Sequence, residues 1–174
     1  MRLKNILISL FAFSAFHGFS QDNDSQNFGR HEMKVNLFYA VLESASLEYE
    51  YIVNSDFTVG LGASYFFDVS SSEFEFIAVP NARFYPGNQV AASGFFTELS
   101  IPFYPWDDRV YNRSTKKFEE DILIGVGVGV AAGYKLISKK GFVTELFFGI
   151  GRNFNNEINV ELFSRFGVTF GKRF

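Results

Sequence analysis

The stretch Ile158-Asn159-Val160-Glu161-Leu162-Phe163-Ser164-Arg165-Phe166-Gly167-Val168-Thr169-Phe170-Gly171-Lys172-Arg173-Phe174 decides the fold. Taken every second residue, one set is Ile158, Val160, Leu162, Ser164, Phe166, Val168, Phe170, Lys172 and Phe174. The other is Asn159, Glu161, Phe163, Arg165, Gly167, Thr169, Gly171 and Arg173. A period of two belongs to a strand with one apolar and one polar side. The alternation also runs longer than strands of soluble domains usually do. It predicts the closing strand of a membrane-spanning barrel.

The remaining composition fits strands that cross a membrane. The 174 residues include 24 Phe and 8 Tyr but only 1 Trp, while mean hydropathy stays near zero. Abundant aromatic residues without long apolar runs suit alternating strands better than transmembrane helices. Cysteine is absent, which excludes disulfides, thiolate metal sites and a lipid anchor on an N-terminal cysteine. The formal charge of -3 gives no sign of nucleic-acid binding.

Residues 1–20 read as a secretory signal peptide. Arg2 and Lys4 open it, Ile6 to Phe16 form an apolar run, and Gly18 and Ser20 stand at -3 and -1 before Gln21. That run is too short for a membrane helix, which needs about 20 apolar residues. Residues 21–32 are polar and aperiodic, a flexible periplasmic lead-in, and the barrel is expected over 33–174.

Eight alternating segments follow, separated by turn-rich breaks. They run over Met33–Leu42, Ala45–Val53, Phe57–Asp68, Phe74–Tyr85, Gly94–Tyr104, Asp121–Ile137, Phe142–Asn153 and the closing stretch. Pro80 marks a bulge or local break in the fourth, since proline cannot donate to a ladder. Asn54–Asp56, Pro86–Ser93 and Ser138–Gly141 read as turns. Pro105–Glu120 is the longest polar break. With the N-terminus in the periplasm, that break faces outward and the compact turns face inward, as in outer-membrane barrels. Glu43-Ser44 is a very short outer loop for this scheme, and Pro86–Ser93 a generous inner turn.

A soluble barrel would turn the apolar faces inward, and a membrane barrel turns them to lipid. The polar faces favour the second arrangement. They carry Glu48, Glu50, Glu75, Glu98, Glu145 and Glu161 together with Lys34, Arg83, Lys135 and Arg165, the materials of an interior charge network. Glycines share those faces. Gly60 and Gly62 are expected to leave room beside Glu48 and Glu50, and Gly125, Gly127 and Gly129 beside Glu98 and Glu145. On a solvated face such glycines would only weaken the strand.

With these residues laid out, Met33–Phe174 resembles the small eight-stranded outer-membrane barrels of Gram-negative bacteria, the OmpA/OmpX-like kind. Lys34-Val35-Asn36-Leu37, Ser46-Leu47-Glu48-Tyr49-Glu50-Tyr51 and Phe57-Thr58-Val59-Gly60-Leu61-Gly62 are also similar to an uncharacterised outer-membrane barrel family. The resemblance implies an all-β, eight-stranded antiparallel up-and-down transmembrane β-barrel in the outer membrane, in contact with lipopolysaccharide and monomeric. It makes Phe166, Val168, Phe170 and Phe174 an assembly signal read by the barrel-assembly machinery. Lys172 departs from that pattern, and its stem can cover lipid while the ammonium reaches water.

Little in the chain points to catalysis. Small barrels of this kind include lipid A deacylases and palmitoyl transferases with a His-centred site near the outer surface. Here His17 leaves with the signal peptide and His31 precedes the first strand on the periplasmic side. Glu48 and Glu50 form an ion-pair network more readily than an acid/base dyad. Gly125-x-Gly127-x-Gly129 lacks both the spacing and the helix of a dinucleotide fingerprint. Asp107 and Asp108, with Glu119, Glu120 and Asp121, offer too few defined oxygens for a cation site. No cofactor or metal is expected. Trp106, Asp107, Asp108, Arg109, Arg113, Lys116 and Lys117 form a candidate extracellular interaction loop. The expected function is non-enzymatic, in envelope integrity or surface interaction, with a lumen filled by side chains as eight strands dictate. The alternatives are a lipid-modifying enzyme and a narrow small-solute channel.

Overall fold

Period-two patterning becomes a closed wall of antiparallel strands in the computed structural model, which describes residues 29–41, 44–67, 76–87, 90–112, 117–154 and 162–174. Over 106–112 and 117–123 only the backbone is described. The elements are β1 (His31–Asn36), α1 (Leu37–Val41), β2 (Ser44–Ile52), β3 (Phe57–Phe66), β4 (Phe76–Phe84), β5 (Gly94–Ser100), β6 (Phe103–Asn112), β7 (Lys117–Ile137), β8 (Phe142–Asn153) and β9 (Leu162–Arg173). Successive strands pair except β5 and β6, which both lie between β4 and β7, and β9 returns to β1. Counting β5 and β6 as one crossing, this is an eight-stranded antiparallel up-and-down transmembrane β-barrel.

The registers explain how it closes. Glu32, Glu50, Gly60, Asn81, Ser100, Gly129, Gly151 and Phe163 are successive partners around the wall. The β1–β9 register sets Asn36 against Thr169, so one circuit climbs by about ten residues, the stagger that tilted strands need in order to close.

Two prolines account for the seam between β5 and β6. Pro80 stays within the β3–β4 ladder opposite Leu61, without a bulge there. The register of β4 is the same on both sides of the seam, with Asn81 opposite Ser100 and Ala78 opposite Phe103. Between them Ile101 N–H donates to Pro80 O at 3.0 Å and Gly127 N–H to Pro102 O at 3.1 Å. Neither proline can donate in return. The expected break at Pro80 is therefore a local loss of donors, and the crossing continues past it.

Three expectations for the segments are corrected. The first strand runs His31–Asn36, not Met33–Leu42, because the chain turns into α1 after Asn36. Asn36 Oδ1 accepts from Phe38 N–H at 3.1 Å, the N-cap bond that starts a helix. The sixth strand begins at Lys117 rather than Asp121. The break expected over Pro105–Glu120 is mostly strand, paired from Phe103↔Val126 to Asn112↔Lys117. Beyond Ala78↔Phe103 and Gly127↔Asn153, the described parts of β6 and β7 pair only with each other. They run on together as a two-stranded ribbon for roughly 30 Å along the strand, at the usual rise, beyond their last described neighbours.

His31 and Phe174 lie together at the turn end of the barrel, and the ribbon lies at the loop end. At the turn end, Asn54 Oδ1 accepts from Asp56 and Phe57 N–H. The Ser138–Gly141 turn closes with Gly141 at φ 80°. Of the generous Pro86–Ser93 turn, Ala91 and Ala92 fold beneath the lumen. Ala92 N–H donates to Ser55 O, and Arg173 donates to Ala91 O at 2.7 Å and Ala92 O at 2.9 Å. Ala92 is fully buried and holds φ 49°, a conformation alanine seldom adopts.

Burial is inverted relative to a soluble protein. Leu146, Phe148, Ile150 and Val130 are each more than half exposed, while Lys34, Glu50, Arg83 and Glu145 are about 1% exposed. Only lipid gives such an exposed surface a suitable solvent. Val130 lies mid-wall, opposite Leu99 and Ile150. Val130→Arg is expected to destabilise the barrel by about 2–4 kcal/mol in lipid vesicles, as charge does on a lipid-facing midplane. Urea unfolding followed by the boiled-versus-unboiled gel shift measures it. A change within about 0.5 kcal/mol is the ordinary result for a solvated surface site and would contradict the membrane assignment.

Candidate functional site: the lumen charge network

Alternation brings charges from seven crossings to one place. Glu32 and Lys34 come from β1, Glu48 and Glu50 from β2, Arg83 from β4, Glu98 from β5, Lys135 from β7, Glu145 from β8, and Arg165 and Arg173 from β9. Register sets many opposite charges face to face, including Lys34↔Glu48, Arg83↔Glu98, Lys135↔Glu145 and Glu32↔Arg173. Such cross-strand pairs are the favourable ones. Glu32 and Glu50 are also direct partners, and two carboxylates there would repel. Lys135 Nζ lies between them, 2.9 Å from Glu32 and 2.7 Å from Glu50.

Two carboxylates form the hub. Glu50 accepts from Lys34 at 2.5 Å, Lys135 at 2.7 Å, Arg83 at 2.8 Å and the Tyr85 hydroxyl at 2.9 Å. Glu145 accepts from Lys34 at 2.7 Å, Arg83 at 3.0 Å and Thr169 at 3.2 Å, with Lys135 at 3.1 Å. Arg83 reaches further, to Glu98 at 2.8 Å and Glu48 at 3.4 Å. Arg165 donates to Glu98 at 2.5 Å, and Arg173 donates to Glu32 at 2.6 Å. Five acids thus meet five bases with no net charge, as buried charge requires.

Aromatic rings complete the packing. The Arg83 guanidinium lies 4.7 Å from the Phe96 ring centre and 5.8 Å from that of Phe147, and Lys135 lies 4.8 Å from Tyr85. Such contacts favour a cation that has lost its water. Nearer the loop end the filling is aromatic. A Cβ on Gly125 would strike the Tyr104 ring, and one on Gly151 would strike Phe163. Glu48 does lie opposite Gly62, and Glu50 opposite Gly60. The space left by Gly125, Gly127 and Gly129 is instead used by Tyr104, Phe163, Pro102 and Ser100, not by Glu98 and Glu145.

Of the expected charge positions, the structure brings together Lys34, Glu48, Glu50, Arg83, Glu98, Lys135, Glu145 and Arg165. Glu75 and Glu161 lie outside the described residues. Glu32, Arg173, Tyr85 and Thr169 belong to the same network and were not expected there. Parity from Lys34 and Arg165 would have found Glu32, Thr169 and Arg173. Of the residues expected in an outer loop, Trp106, Asp107, Asp108, Arg109 and Lys117 are strand residues of the ribbon, which corrects the loop assignment. Arg113 and Lys116 lie outside the described residues.

The three carboxylates of Glu32, Glu50 and Glu145 converge closely enough to suggest a metal cluster. Lys34 and Lys135 already lie among them, so their donor set is satisfied by ammonium groups. His31 stands on the outer face at the turn end, its Nδ1 2.7 Å from the Tyr49 hydroxyl and its ring stacked on Phe174. His17 lies outside the described residues. Phe166, Val168, Phe170 and Phe174 follow the outward face of β9. Phe174 also joins the seam to β1, exchanging backbone bonds with His31 at 2.9 and 3.1 Å.

The family model described as "Protein of unknown function (DUF3575)" matches residues 7–164. The chain belongs to that family. No curated protein matches it. Among solved structures, this DUF3575 barrel is similar to the N-terminal β-barrel domain of Pseudomonas aeruginosa OprF, with a TM-score of 0.53 and 10% identity. The match covers 85% of this chain and 100% of that one. At that identity the likeness is one of fold, and it agrees with the OmpA-like resemblance read from the strands.

Arg83 supports four carboxylates at once. Arg83→Leu would leave Glu48, Glu50, Glu98 and Glu145 short of a buried donor, and a loss of about 3–5 kcal/mol is expected. Arg83→Lys should recover only part of it, since an ammonium lacks the planar fork. Equilibrium urea unfolding in vesicles measures both. A loss below about 1 kcal/mol for Arg83→Leu is what an exposed pair gives and would mean the network contributes little.

Proposed function

We propose that this barrel is a non-enzymatic outer-membrane protein that acts in envelope integrity or surface interaction through its β6–β7 ribbon. The single observation that carries the reading is where the polar features lie. Ten charges of the wall are turned inward and mutually neutralised, leaving Arg152 and Lys172 outside, while β6 and β7 run on together past their last described neighbours with Asp107, Asp108, Arg109 and Lys117 along them. An eight-stranded lumen packed with side chains leaves no aqueous path. In this reading residues 1–20 are the export signal, 21–32 form the lead-in, the turn end faces the periplasm and the loop end faces out. The protein works as a monomer, and the ribbon meets lipopolysaccharide, whose phosphates the basic residues Arg109, Arg113, Lys116 and Lys117 suit.

Replacing 105–123 by a two-residue Asn-Gly turn tests the ribbon. The shortened protein should still show the heat-dependent gel shift and reach the membrane, but bind isolated lipopolysaccharide at least several-fold more weakly. Undiminished binding would overturn the ribbon's role. Steady conductance steps in planar bilayers would overturn the filled lumen, and lipid A deacylation lost in Glu145→Gln would overturn the non-enzymatic reading.

Phe166, Val168, Phe170 and Phe174 are proposed as the assembly signal. Phe174→Ala keeps the backbone bonds to His31 and removes only the ring. It should reduce folded barrel in cells several-fold and leave the unfolding midpoint of refolded protein nearly unchanged. Equal losses in both measurements would make the ring a structural contact only.

A further inference from the structure

Among the residues whose side chains are described, the outward face of the wall carries two charges. Arg152 stands near the loop end of β8 and Lys172 near the turn end of β9, both exposed. Register fixes their heights. Arg152 is opposite Leu162 and Lys172 is opposite Phe142 on the same pair of strands, ten positions apart from 142 to 152. Ten residues rise about 34 Å along a strand, or about 26 Å across a bilayer at a tilt near 40°. The apolar band of an outer-membrane barrel is about 25 Å tall. The two cations therefore bound that band, and Lys172 stands where lipid chains give way to headgroups on the turn-end side.

A second lysine is held at the same rim. The Ser138–Gly141 turn is pinned beside the end of β9. Gly141 N–H donates to Ser138 O at 2.9 Å, Phe142 N–H to Ser138 Oγ at 3.0 Å, and Arg173 N–H to Gly141 O at 2.8 Å. Lys140, exposed in this turn, is thus fixed two residues from Phe142, the register partner of Lys172. Neither Lys140 nor Lys172 has a carboxylate partner among the described residues. The Lys172 ammonium lies 5.8 Å from the Phe142 ring centre, and Phe142 stacks on Phe170 at 5.9 Å. The β3–β4 sector of this rim is different. Phe57 and Phe84 pack there at 4.9 Å, but the adjoining segments hold no base, since 54–56 carries only Asp56 and 86–93 no charge.

We propose that Lys140 and Lys172 form a binding site for the headgroup phosphate of an anionic phospholipid, whose acyl chains lie over Phe142 and Phe170. Charge and position select the occupant. Two ammonium groups without an acid of their own attract a net negative headgroup more than a zwitterionic one. Lys172 projects from the lipid-facing side, so its stem lies along hydrocarbon and its head reaches the phosphate level. A soluble anion can meet Lys140 from water but gains nothing from the two rings. With the turn end toward the periplasm this lipid belongs to the periplasmic leaflet, while the site itself requires only that the wall spans a bilayer.

The test uses the signal-free chain refolded in phosphatidylcholine vesicles, with Trp106→Phe removing the native fluorophore. One reporter is introduced by Phe142→Trp, at the site, or by Phe84→Trp, at the same rim away from the lysines. Lipid brominated on its acyl chains, added as a small fraction, quenches the reporter it touches. Brominated phosphatidylglycerol should associate at least threefold more tightly with the first reporter than with the second, whereas brominated phosphatidylcholine should quench the two alike. Lys172→Gln should lower the excess about twofold, and Lys140→Gln with Lys172→Gln should remove most of it. High salt, which needs no substitution, should remove it too, and the heat-dependent gel shift reports which variants have folded. Equal quenching of the two reporters by brominated phosphatidylglycerol would overturn the proposal. An excess that persists in high salt or in the folded double variant would also overturn it. If brominated phosphatidylcholine quenches neither reporter, the wall does not meet lipid, and the membrane reading falls together with the site.

Discussion

A closed wall in hydrocarbon must satisfy its backbone around the circuit and keep charge away from lipid, and most of this structure follows from that pair of demands. Eight strands fix a lumen only side chains wide. Charges placed there have lost water, and their mutual attraction offsets that loss only when geometry is good and remaining donors and acceptors are satisfied. The lumen meets this with shared rather than isolated pairs. Glu50 and Glu145 each face Lys34, Arg83 and Lys135. Rings of Phe96, Phe147 and Tyr85 occupy the space that water would otherwise take beside the cations.

The same demand explains why two local irregularities have different consequences. Pro80 and Pro102 remove donors where β4, the fifth crossing and β7 meet, yet register is kept and carbonyls still accept from Ile101 and Gly127. The wall stays shut. Asn36 instead offers the chain a rival bonding scheme, because its side chain caps a helical turn. Once Phe38 N–H is committed to that cap, β1 leaves both neighbours. The barrel is therefore complete toward the turn end and irregular toward the loop end.

Strand parity was legible in the sequence, because a period of two survives wherever one face is apolar. Lys34, Glu48, Glu50, Arg83, Glu98, Lys135 and Glu145 could be assigned to one interior from that alone. Phe96, Phe147 and Phe163 could not, since inward aromatic residues look like lapses in the pattern until a neighbouring glycine or guanidinium is seen to need them. Glu32 and Arg173 were missed for another reason. Each lies at a strand end, where parity still applies but the boundary is least certain. α1 was hidden because Leu37, Tyr39 and Val41 continue the alternation of β1, and only the cap at Asn36 contradicts it. The ribbon was hidden because charged, polar residues such as Asp107 and Glu120 lack the apolar face by which a strand within lipid is recognised.

The two ends of the molecule are thus built on opposite principles. At the turn end Arg173 holds together three segments distant in sequence: Glu32 at the start of β1, the carbonyls of Ala91 and Ala92 beneath the lumen, and its own position at the close of β9. Ala92 holds its unusual backbone because both its N–H and its C=O are engaged, by Ser55 and by Arg173. Strain of that kind persists only where surroundings over-determine it, which marks this end as the rigid one. At the loop end the wall is interrupted beside α1, where β1 leaves both neighbours. Local opening is easiest where few buried contacts and bonds resist it. In a barrel with one sealed end and one irregular end, local opening at the second leaves in place the charge network that holds the first.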